Sequence, residues 1–211
     1  MKTQHDLHLL CDEVYSNQVF ASKYEPNPQP FISVLSLDIQ DCSPSRIHVL
    51  SGPTKDFGAS GVKLGAFISQ HNPSLVKLMK ASLGPIPISS AADALFTPIL
   101  NDDKFFPWFL EENRRRMKES FELVAEWCEF HGFPFVPASA AIFFLIDFSS
   151  VLDKFGGENV TYDDQLDAMV QSMVKHGVFM VRHHLSCLSV AHCFQSALDT
   201  LIRNLLKVNS G

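Results

Sequence analysis

Four of the chain's ten glycines fall between positions 52 and 65, directly after the apolar run 47–50. Glycine adopts backbone conformations that other residues avoid, and it weakens helices and strands when it lies inside them. The segment is therefore expected to form a loop at the carboxyl end of a strand, where backbone can approach a bound molecule closely. Lys55 and Lys63 lie on this loop, which makes it a candidate binding site.

The segments around this loop predict the fold class. Short apolar runs predict strands, and apolar residues at steps of three and four predict helices. The predicted strands are 7–11, 31–37, 47–50 and 141–146, and the predicted helices are 74–82, 91–95, 108–130, 163–174 and 198–208. We therefore expect an α/β domain over residues 1–105, with a buried first strand, followed by an α+β domain over residues 106–211.

The segment 108–130 carries the clearest helical pattern in the chain. Its apolar residues recur at steps of three, four and seven, so that they share one face of a helix. These residues are Leu110, Met117, Phe121, Val124 and Cys128. The pattern predicts one long helix that buries this face against a core.

Polar side chains follow the predicted strands of the first domain. Asp12 follows the first strand, and Ser51 and Lys55 follow the strand 47–50. Open α/β sheets bind their ligands at the carboxyl ends of the strands. Each residue also has an ordinary explanation, since Lys55 could be a solvated loop lysine, Asp12 a turn residue and the nearby Tyr15 an amphipathic core residue.

Composition and charge exclude several classes of partner. The net charge of -6 argues against nucleic-acid binding, because phosphate backbones are bound mainly through clustered Lys and Arg. No apolar run reaches the roughly 18 residues that span a bilayer, and the N-terminus lacks the features of a signal peptide. We therefore expect no membrane partner and a cytoplasmic location. The five scattered cysteines favour reduced thiols.

Five potential metal ligands cluster near the C-terminus. Imidazole and thiolate groups suit zinc, but the spacing matches no zinc signature and contains no paired Cys-x-x-Cys. The residues are His183, His184, Cys187, His192 and Cys193. We therefore predict no metal site, and interpret the cluster as ordinary side chains of a partly buried segment.

Two of these segments together resemble a known enzyme family. The loop at 51–65 reads SGPTKDFGASGVKLG, which is similar to Ser-x-Ser-Lys-x-x-Gly-x-x-Gly-x-Arg-x-Gly, the motif around the Schiff-base lysine of fold-type I pyridoxal-phosphate enzymes. Upstream, HLLCDEVY at 8–15 resembles the same family's Asp-x-x-Tyr strand end. The resemblance is to class I/II aminotransferases and their aminocyclopropane-carboxylate-synthase-like relatives.

The resemblance implies a role for each of four residues. Lys55 bonds the cofactor pyridoxal 5'-phosphate and is the implied catalytic acid and base. Asp12 pairs with the pyridinium nitrogen and keeps it protonated, while Tyr15 donates a hydrogen bond to the phenolic oxygen. Lys63 occupies the position of a phosphate-binding arginine, where an ammonium supplies charge but no planar, two-bond contact.

The sequence departs from the family pattern in two ways that bear on cofactor binding. Gly52 stands where the family often has a phosphate-binding serine, so we expect a weakened phosphate site. The resemblance runs along the whole chain, but it corresponds to only about the C-terminal half of a typical family member. It implies an incomplete cofactor-binding large domain, a long interdomain helix and a small domain. Family members generally form dimers, so a homodimer is also implied.

Two functions remain open on the sequence alone. The first is a truncated pyridoxal-phosphate-dependent enzyme of amino-acid metabolism, in which transamination and β- or γ-elimination of an amino-acid substrate are not separable. The second is a catalytically inactive, truncated homologue that acts only as a binding or interaction protein. Missing sheet strands would leave an open edge and an exposed apolar face, both of which favour association.

Overall fold

The computed structural model describes residues 7–37, 42–157, 160–182 and 187–190, with backbone alone for residues 181, 182 and 187–190. The chain divides into two compact units. The first unit comprises Met1–Gln18 and Gln29–Glu112, and the second comprises Val19–Pro28 and Asn113–Gly211. The assignment of residues 1–105 and 106–211 to a large and a small domain stays a prediction.

All the helices that were predicted within the described residues are present. In chain order the elements are β1 (Leu9–Asp12), β2 (Ile47–Ser51), β3 (Ala66–Ile68), α1 (Pro73–Leu83), α2 (Ser90–Leu100), α3 (Phe105–His131), β4 (Leu145–Asp147), α4 (Ser149–Leu152), α5 (Tyr162–Lys175), β5 (Met180–Arg182) and β6 (Cys187–Val190). The predicted helix 198–208 lies outside the described residues. No helix within them is long and apolar enough to cross a bilayer.

The sheet of the first unit contains the parallel strand pair that an α/β domain requires. β1 pairs with β2 in parallel, with Leu10 opposite His48 and Asp12 opposite Leu50. β3 pairs with the other edge of β2 in the antiparallel direction. Because parallel strands end at the same edge of a sheet, the residues that follow β1 and β2 emerge side by side.

The first strand is exposed, which contradicts the expectation of a buried strand. Leu10 is 53% exposed, and Leu9 is exposed as well, although successive side chains of a strand point to opposite faces. A parallel strand is buried only where other elements cover both faces of the sheet. Within the described residues, neither face of β1 is fully covered.

The segment 31–37, which was predicted to be a strand, forms a short 3-10 turn instead, at Val34–Ser36. The Ser33 hydroxyl accepts a hydrogen bond from the Leu35 amide at 3.2 Å. The Glu13 carboxylate accepts two more, from the Ser33 hydroxyl at 3.1 Å and the Val34 amide at 2.9 Å. These side-chain acceptors satisfy the local donors, so that the segment has no need of strand pairing.

Capping residues define where α1 and α5 begin. The Asn72 side chain accepts a hydrogen bond from the Leu75 amide at 2.9 Å, and Pro73 occupies the first turn of α1. At α5, Thr161 accepts from the Asp164 amide at 3.2 Å, and its hydroxyl donates to the Asp164 carboxylate at 2.6 Å. Thr161 is therefore the N-cap of α5, and its hydroxyl is held by the Asp164 side chain in the position that accepts from the helix amide.

The second unit combines α3 and α5 with an antiparallel sheet, as expected for an α+β fold. The strand order is β4-β6-β5. β4 begins at Leu145, whereas the predicted strand was 141–146; at Ala141 itself the positive φ of 64° is incompatible with extended structure. The predicted helix face is confirmed for Met117, Phe121 and Cys128, which are all buried.

An aromatic cluster forms the centre of the second unit. The Phe121 ring on α3 lies 5.0 Å from that of Phe144, 5.7 Å from that of Tyr24 and 6.1 Å from that of Phe20, measured between centroids. The Phe135 ring lies 5.3 Å from that of Tyr24 and packs edge to face. Such tilted and edge-on contacts are the favoured geometries of aromatic pairs.

We predict that Phe121→Ala lowers the free energy of unfolding by about 3–5 kcal/mol, because it removes a fully buried ring from this cluster. Phe121 is 0% exposed, whereas Phe130 on the same helix is 84% exposed. Phe130→Ala is therefore the matched control, and should change the free energy by less than about 0.5 kcal/mol. Urea denaturation followed by circular dichroism measures both variants. Equal losses in the two would contradict the packing described.

Candidate functional site

The carboxyl ends of β1 and β2 form the edge at which the candidate site is built. The Glu13 amide donates to the Leu50 carbonyl oxygen at 2.8 Å, so pairing continues one residue past β1. Asp12 lies exposed at this edge, and its carboxylate accepts a hydrogen bond from the Val14 amide at 3.3 Å. The chain leaving β2 then enters the glycine-rich loop.

Lys55 and Tyr15 are brought together at this edge. Lys55 Nζ lies 5.9 Å from the centroid of the Tyr15 ring, at the outer limit of a cation–π contact. The two residues are forty positions apart in sequence, and the parallel pairing of β1 with β2 brings the segments that carry them to the same edge of the sheet. Lys55 is partly exposed.

The two residues after Lys55 are buried and anchor the loop. The Asp56 carboxylate accepts hydrogen bonds from the side-chain amides of Asn17, at 3.0 Å, and Gln18, at 3.3 Å. The Phe57 ring stacks on the ring of Phe109 with 4.3 Å between centroids, and contacts Phe96 at 5.8 Å. Lys55 is thus presented by a loop whose neighbouring side chains are fixed by packing.

Thr54 closes the glycine-rich loop through two hydrogen bonds to Leu64. Its hydroxyl donates to the Leu64 carbonyl oxygen at 3.1 Å and accepts from the Leu64 amide at 3.0 Å. This closure joins the residue before Lys55 to the residue after Lys63, and the Lys63 side chain is exposed. The roles of Asp12, Tyr15, Lys55 and Lys63 in holding a cofactor stay predictions.

The closed loop explains why glycine occupies position 52. A Cβ atom added at Gly52 would lie 2.4 Å from the Leu64 carbonyl oxygen, far inside van der Waals contact. The family's serine therefore cannot be accommodated here unless the backbone moves. The glycines were predicted to let the backbone approach a bound molecule closely. The close approach at Gly52 is instead between two backbone segments of the loop itself. At position 58 glycine is favoured for a different reason, because the backbone there has a φ of +58°, which other residues rarely adopt.

The residues that anchor the loop were not identified from the sequence. Burial is predicted from apolar residues, and these three residues, Asn17, Gln18 and Asp56, are all polar. The only available signal was position, because Asp56 directly follows the candidate lysine and the two amides closely follow Tyr15. Their contact connects segments whose separation along the chain exceeds thirty residues.

A pair of histidines lies between β1 and β2. His8 Nδ1 is 2.7 Å from His48 Nε2, and His48 Nδ1 is 2.9 Å from the Ser69 hydroxyl. His48 is buried, and this burial lowers its pKa below the ordinary value, with a smaller contribution from His8. His48 is therefore neutral at neutral pH, and its two ring nitrogens connect His8 to Ser69.

The described residues include no group of three or more His, Cys, Asp or Glu side chains that could hold a metal ion. The cluster His183, His184, His192 and Cys193 lies outside those residues, and only the backbone of Cys187 is described. Three cysteines with described side chains are free thiols, namely Cys11, Cys42 and Cys128. Burial raises the pKa of the Cys128 thiol to about 11, so that it remains protonated in the core.

The chain belongs to the class I and II aminotransferase family, whose model matches residues 1–203. Members of this family are pyridoxal-phosphate-dependent enzymes that act on amino acids. The family and fold class expected from the two motifs are therefore confirmed.

Curated relatives and solved structures support this assignment. The chain is 33% identical over 166 residues to the trimodular acetylaranotin synthesis protein of Aspergillus terreus, covering 76% of this chain and 18% of that protein. It is 29% identical over 196 residues to 1-aminocyclopropane-1-carboxylate synthase 5 of Arabidopsis thaliana, covering 90% and 38% respectively.

Two solved structures show the same fold at lower sequence identity. A PLP-bound C–S lyase of Staphylococcus hominis matches 96% of this chain and 48% of its own, with a TM-score of 0.66 and 16% identity. An aromatic aminotransferase of Pyrococcus horikoshii matches 98% and 53%, with a TM-score of 0.64 and 19% identity. The chain thus spans about half of these structures and less of the curated relatives, as the sequence predicted.

We predict that Gly52→Ala lowers the free energy of unfolding by about 1–3 kcal/mol, because the new methyl group collides with the Leu64 carbonyl oxygen. Gly61→Ala is the matched control on the same loop, since a Cβ at Gly61 meets nothing within 4 Å. The control should leave the free energy of unfolding unchanged or raise it by up to about 1 kcal/mol, because alanine has less backbone entropy than glycine in the unfolded chain. Urea denaturation of both variants is the measurement. A stable Gly52→Ala chain would show that the loop is not closed in this way.

Proposed function

We propose that this chain carries the cofactor-bonding portion of a pyridoxal-phosphate-dependent enzyme that acts on amino acids. Lys55 is the residue that bonds the cofactor, and Asp12, Tyr15 and Lys63 hold it at the carboxyl edge of β1 and β2. The observation that carries the proposal is the 5.9 Å separation between Lys55 Nζ and the Tyr15 ring. It joins the two family motifs at one edge of the sheet.

The chemistry of these side chains fits the proposed cofactor. An amine can bond an aldehyde, a phenol can donate to the adjacent ring oxygen, and a carboxylate can keep a pyridine nitrogen protonated. The second ammonium, at Lys63, supplies charge for a phosphate group without the two parallel bonds of a guanidinium. When bound, pyridoxal phosphate supplies an electron sink that stabilises negative charge developing at the substrate α-carbon.

Each residue has a defined part in this proposal. Lys55 bonds the cofactor through Nζ, and when free the same amine can hold and return a proton. Tyr15 orients the ring from beside Lys55, and Asp12 maintains its charge from the end of β1. The buried neighbours of Lys55 keep the loop in place, so that the amine loses little freedom when it reacts.

The substrate class is an amino acid, and the reaction type stays open between transamination and elimination. Both are found among the names of similar proteins, which include aminotransferases and a C–S lyase. The choice depends on which bond to the α-carbon is aligned over the cofactor ring. We propose that a second copy of the chain contributes to the site as a homodimer partner.

We predict that borohydride reduction of the chain with pyridoxal phosphate attaches the cofactor to Lys55, and that Lys55→Arg abolishes this labelling. Arginine keeps the positive charge, but its guanidinium remains protonated and does not bond the aldehyde. Mass spectrometry of the digested protein locates the added mass. Absorbance titration before reduction gives the dissociation constant.

The control is Lys77→Arg, which makes the same chemical change at an exposed position on α1. It should leave labelling at Lys55 unchanged. Equal labelling of the wild-type and Lys55→Arg chains, or labelling spread evenly over the lysines, would show that Lys55 is not the cofactor residue.

A second candidate function is association without catalysis, and the exposure of β1 favours it. Within the described residues, β1 pairs only with β2, so its other edge offers unpaired backbone groups. Leu9 and Leu10 are exposed on this strand, and Leu7, which precedes it, is exposed as well. An exposed edge combined with an apolar surface favours addition of a further strand from another polypeptide. Under this alternative, the chain binds a second copy of itself or a partner through β1 and performs no chemistry.

We predict that the wild-type chain self-associates through β1, and that Leu10→Lys weakens this association, because a lysine charge is costly to bury in an apolar contact. Leu123→Lys is the matched control, since Leu123 is exposed on α3 in the second unit. Sedimentation velocity at several protein concentrations measures the effect. A wild-type chain that stays monomeric throughout would rule out β1 as a self-association surface.

A further inference from the structure

A buried carboxylate directly follows the proposed cofactor lysine. Asp56 is only 4% exposed, although carboxylates are rarely buried without partners. One oxygen, Oδ2, accepts a hydrogen bond from Asn17 Nδ2 at 3.0 Å, and the other, Oδ1, accepts from Gln18 Nε2 at 3.3 Å. Each carboxylate oxygen therefore has an amide donor, which compensates for the loss of water.

The orientation of Gln18 shows how strongly this contact is enforced. Gln18 is fully buried, and its Oε1 atom has no hydrogen-bond partner within the described part of the chain. Turning the amide over would place Oε1 against the Asp56 carboxylate and remove the hydrogen bond to it. The Gln18 amide is thus oriented with its NH2 group toward the Asp56 carboxylate, even though this leaves the buried Oε1 atom without a hydrogen bond.

The same contact connects the Tyr15 turn to the Lys55 loop. Ser16–Gln18 form a 3-10 turn, and the Gln18 amide donates to the Tyr15 carbonyl oxygen at 3.0 Å. Asp56 lies next to Lys55, so that the carboxylate connects the segment carrying the tyrosine ring to the segment carrying the amine. The connection lies directly beside the pair that the proposed function requires.

We propose that Asp56 is a positioning residue, whose carboxylate, held between Asn17 and Gln18, keeps the Lys55 amine beside the Tyr15 ring. This inference rests on the proposed function, because it assigns a purpose to the Lys55–Tyr15 pair. In this proposal Asp56 acts through Lys55 and is assigned no contact with the cofactor. Loss of the hydrogen bonds should release the amine from the ring even where the chain remains folded.

An exchange of side chains tests the contact with little change in volume. Asn17→Asp places a second carboxylate against Asp56, and no rotation of either group can then supply a donor. In the double variant Asn17→Asp/Asp56→Asn, the amide introduced at position 56 can donate to the carboxylate introduced at position 17, while its oxygen accepts from Gln18. The double variant restores both hydrogen bonds and the original net charge. Asn27→Asp makes the same charge change at an exposed position and is the control.

The first readout needs no cofactor. Reductive methylation with ¹³C-formaldehyde labels the lysines and keeps their positive charge, and Lys55→Arg identifies the Lys55 signal by NMR. We expect the Tyr15 ring to shift this signal in the wild type, and the shift to be lost in Asn17→Asp and recovered in the double variant. An unchanged Lys55 signal in a folded Asn17→Asp chain overturns the inference, since Asp56 would then serve only stability.

The second readout is the dissociation constant for pyridoxal phosphate, together with the labelling of Lys55 relative to Lys63 after reduction. Asn17→Asp should weaken binding by about tenfold or more and lower the ratio, and the double variant should restore both. Circular dichroism of each variant distinguishes the two causes, since a variant that remains folded but is labelled less at Lys55 has lost positioning and not folding. If Asn17→Asp does not fold, Asn17→Ala removes the donor to Asp56 Oδ2 without adding a charge, and the same two readouts apply.

The outcomes separate the two proposals. Absence of selective labelling in the wild type refutes the cofactor role of Lys55, while the NMR signal still decides whether Asp56 holds the amine. A Lys55 signal that moves in Asn17→Asp without any change in cofactor affinity overturns the positioning role. Recovery of both readouts in the double variant supports it.

Discussion

The parallel pairing of β1 with β2 is the contact on which the candidate site depends. Asp12 and Tyr15 come from the end of β1, and Lys55 comes from the loop after β2. The two segments are separated by more than thirty residues, and backbone hydrogen bonds place their carboxyl ends side by side. A shift of the register by one residue would turn Asp12 to the opposite face of the sheet. The chemistry at this edge is therefore set by backbone pairing before any side chain makes a contact.

The loop after β2 combines an accessible lysine with buried neighbours. Asp56 and Phe57 anchor it through polar and aromatic contacts respectively, and Thr54 closes it onto Leu64. This arrangement confines the backbone while leaving Lys55 partly exposed. Gly52 belongs to the same arrangement, because the closure brings the Leu64 carbonyl oxygen too near for any larger residue. A departure from the family motif is thus a consequence of the loop geometry.

Local patterns predicted some elements well and others poorly. The helices α1, α3 and α5 follow apolar periodicity and capping residues, which act within a few positions along the chain. The segment 31–37 has the composition of a strand, yet it forms a 3-10 turn because Glu13, far away in sequence, accepts its donors. The predicted strand 141–146 is wrong at its first residue, because Ala141 adopts a positive φ that its residue type does not indicate. Each error arises where a distant contact or an unusual backbone conformation overrides local preference.

The sequence by itself determined the family and the longer helices of the described residues, and it predicted four candidate cofactor residues, because motif spacing and periodicity are local properties. It did not predict β3, β5 or β6. Only the tertiary structure decided that Lys55 lies beside Tyr15, that Asp56 is buried between Asn17 and Gln18, and that β1 is exposed. These facts depend on which distant segments meet and on which surfaces remain uncovered. Burial of a polar residue is decided by its partners across the fold, and no single-residue property of Asp56 distinguishes it from a solvated carboxylate.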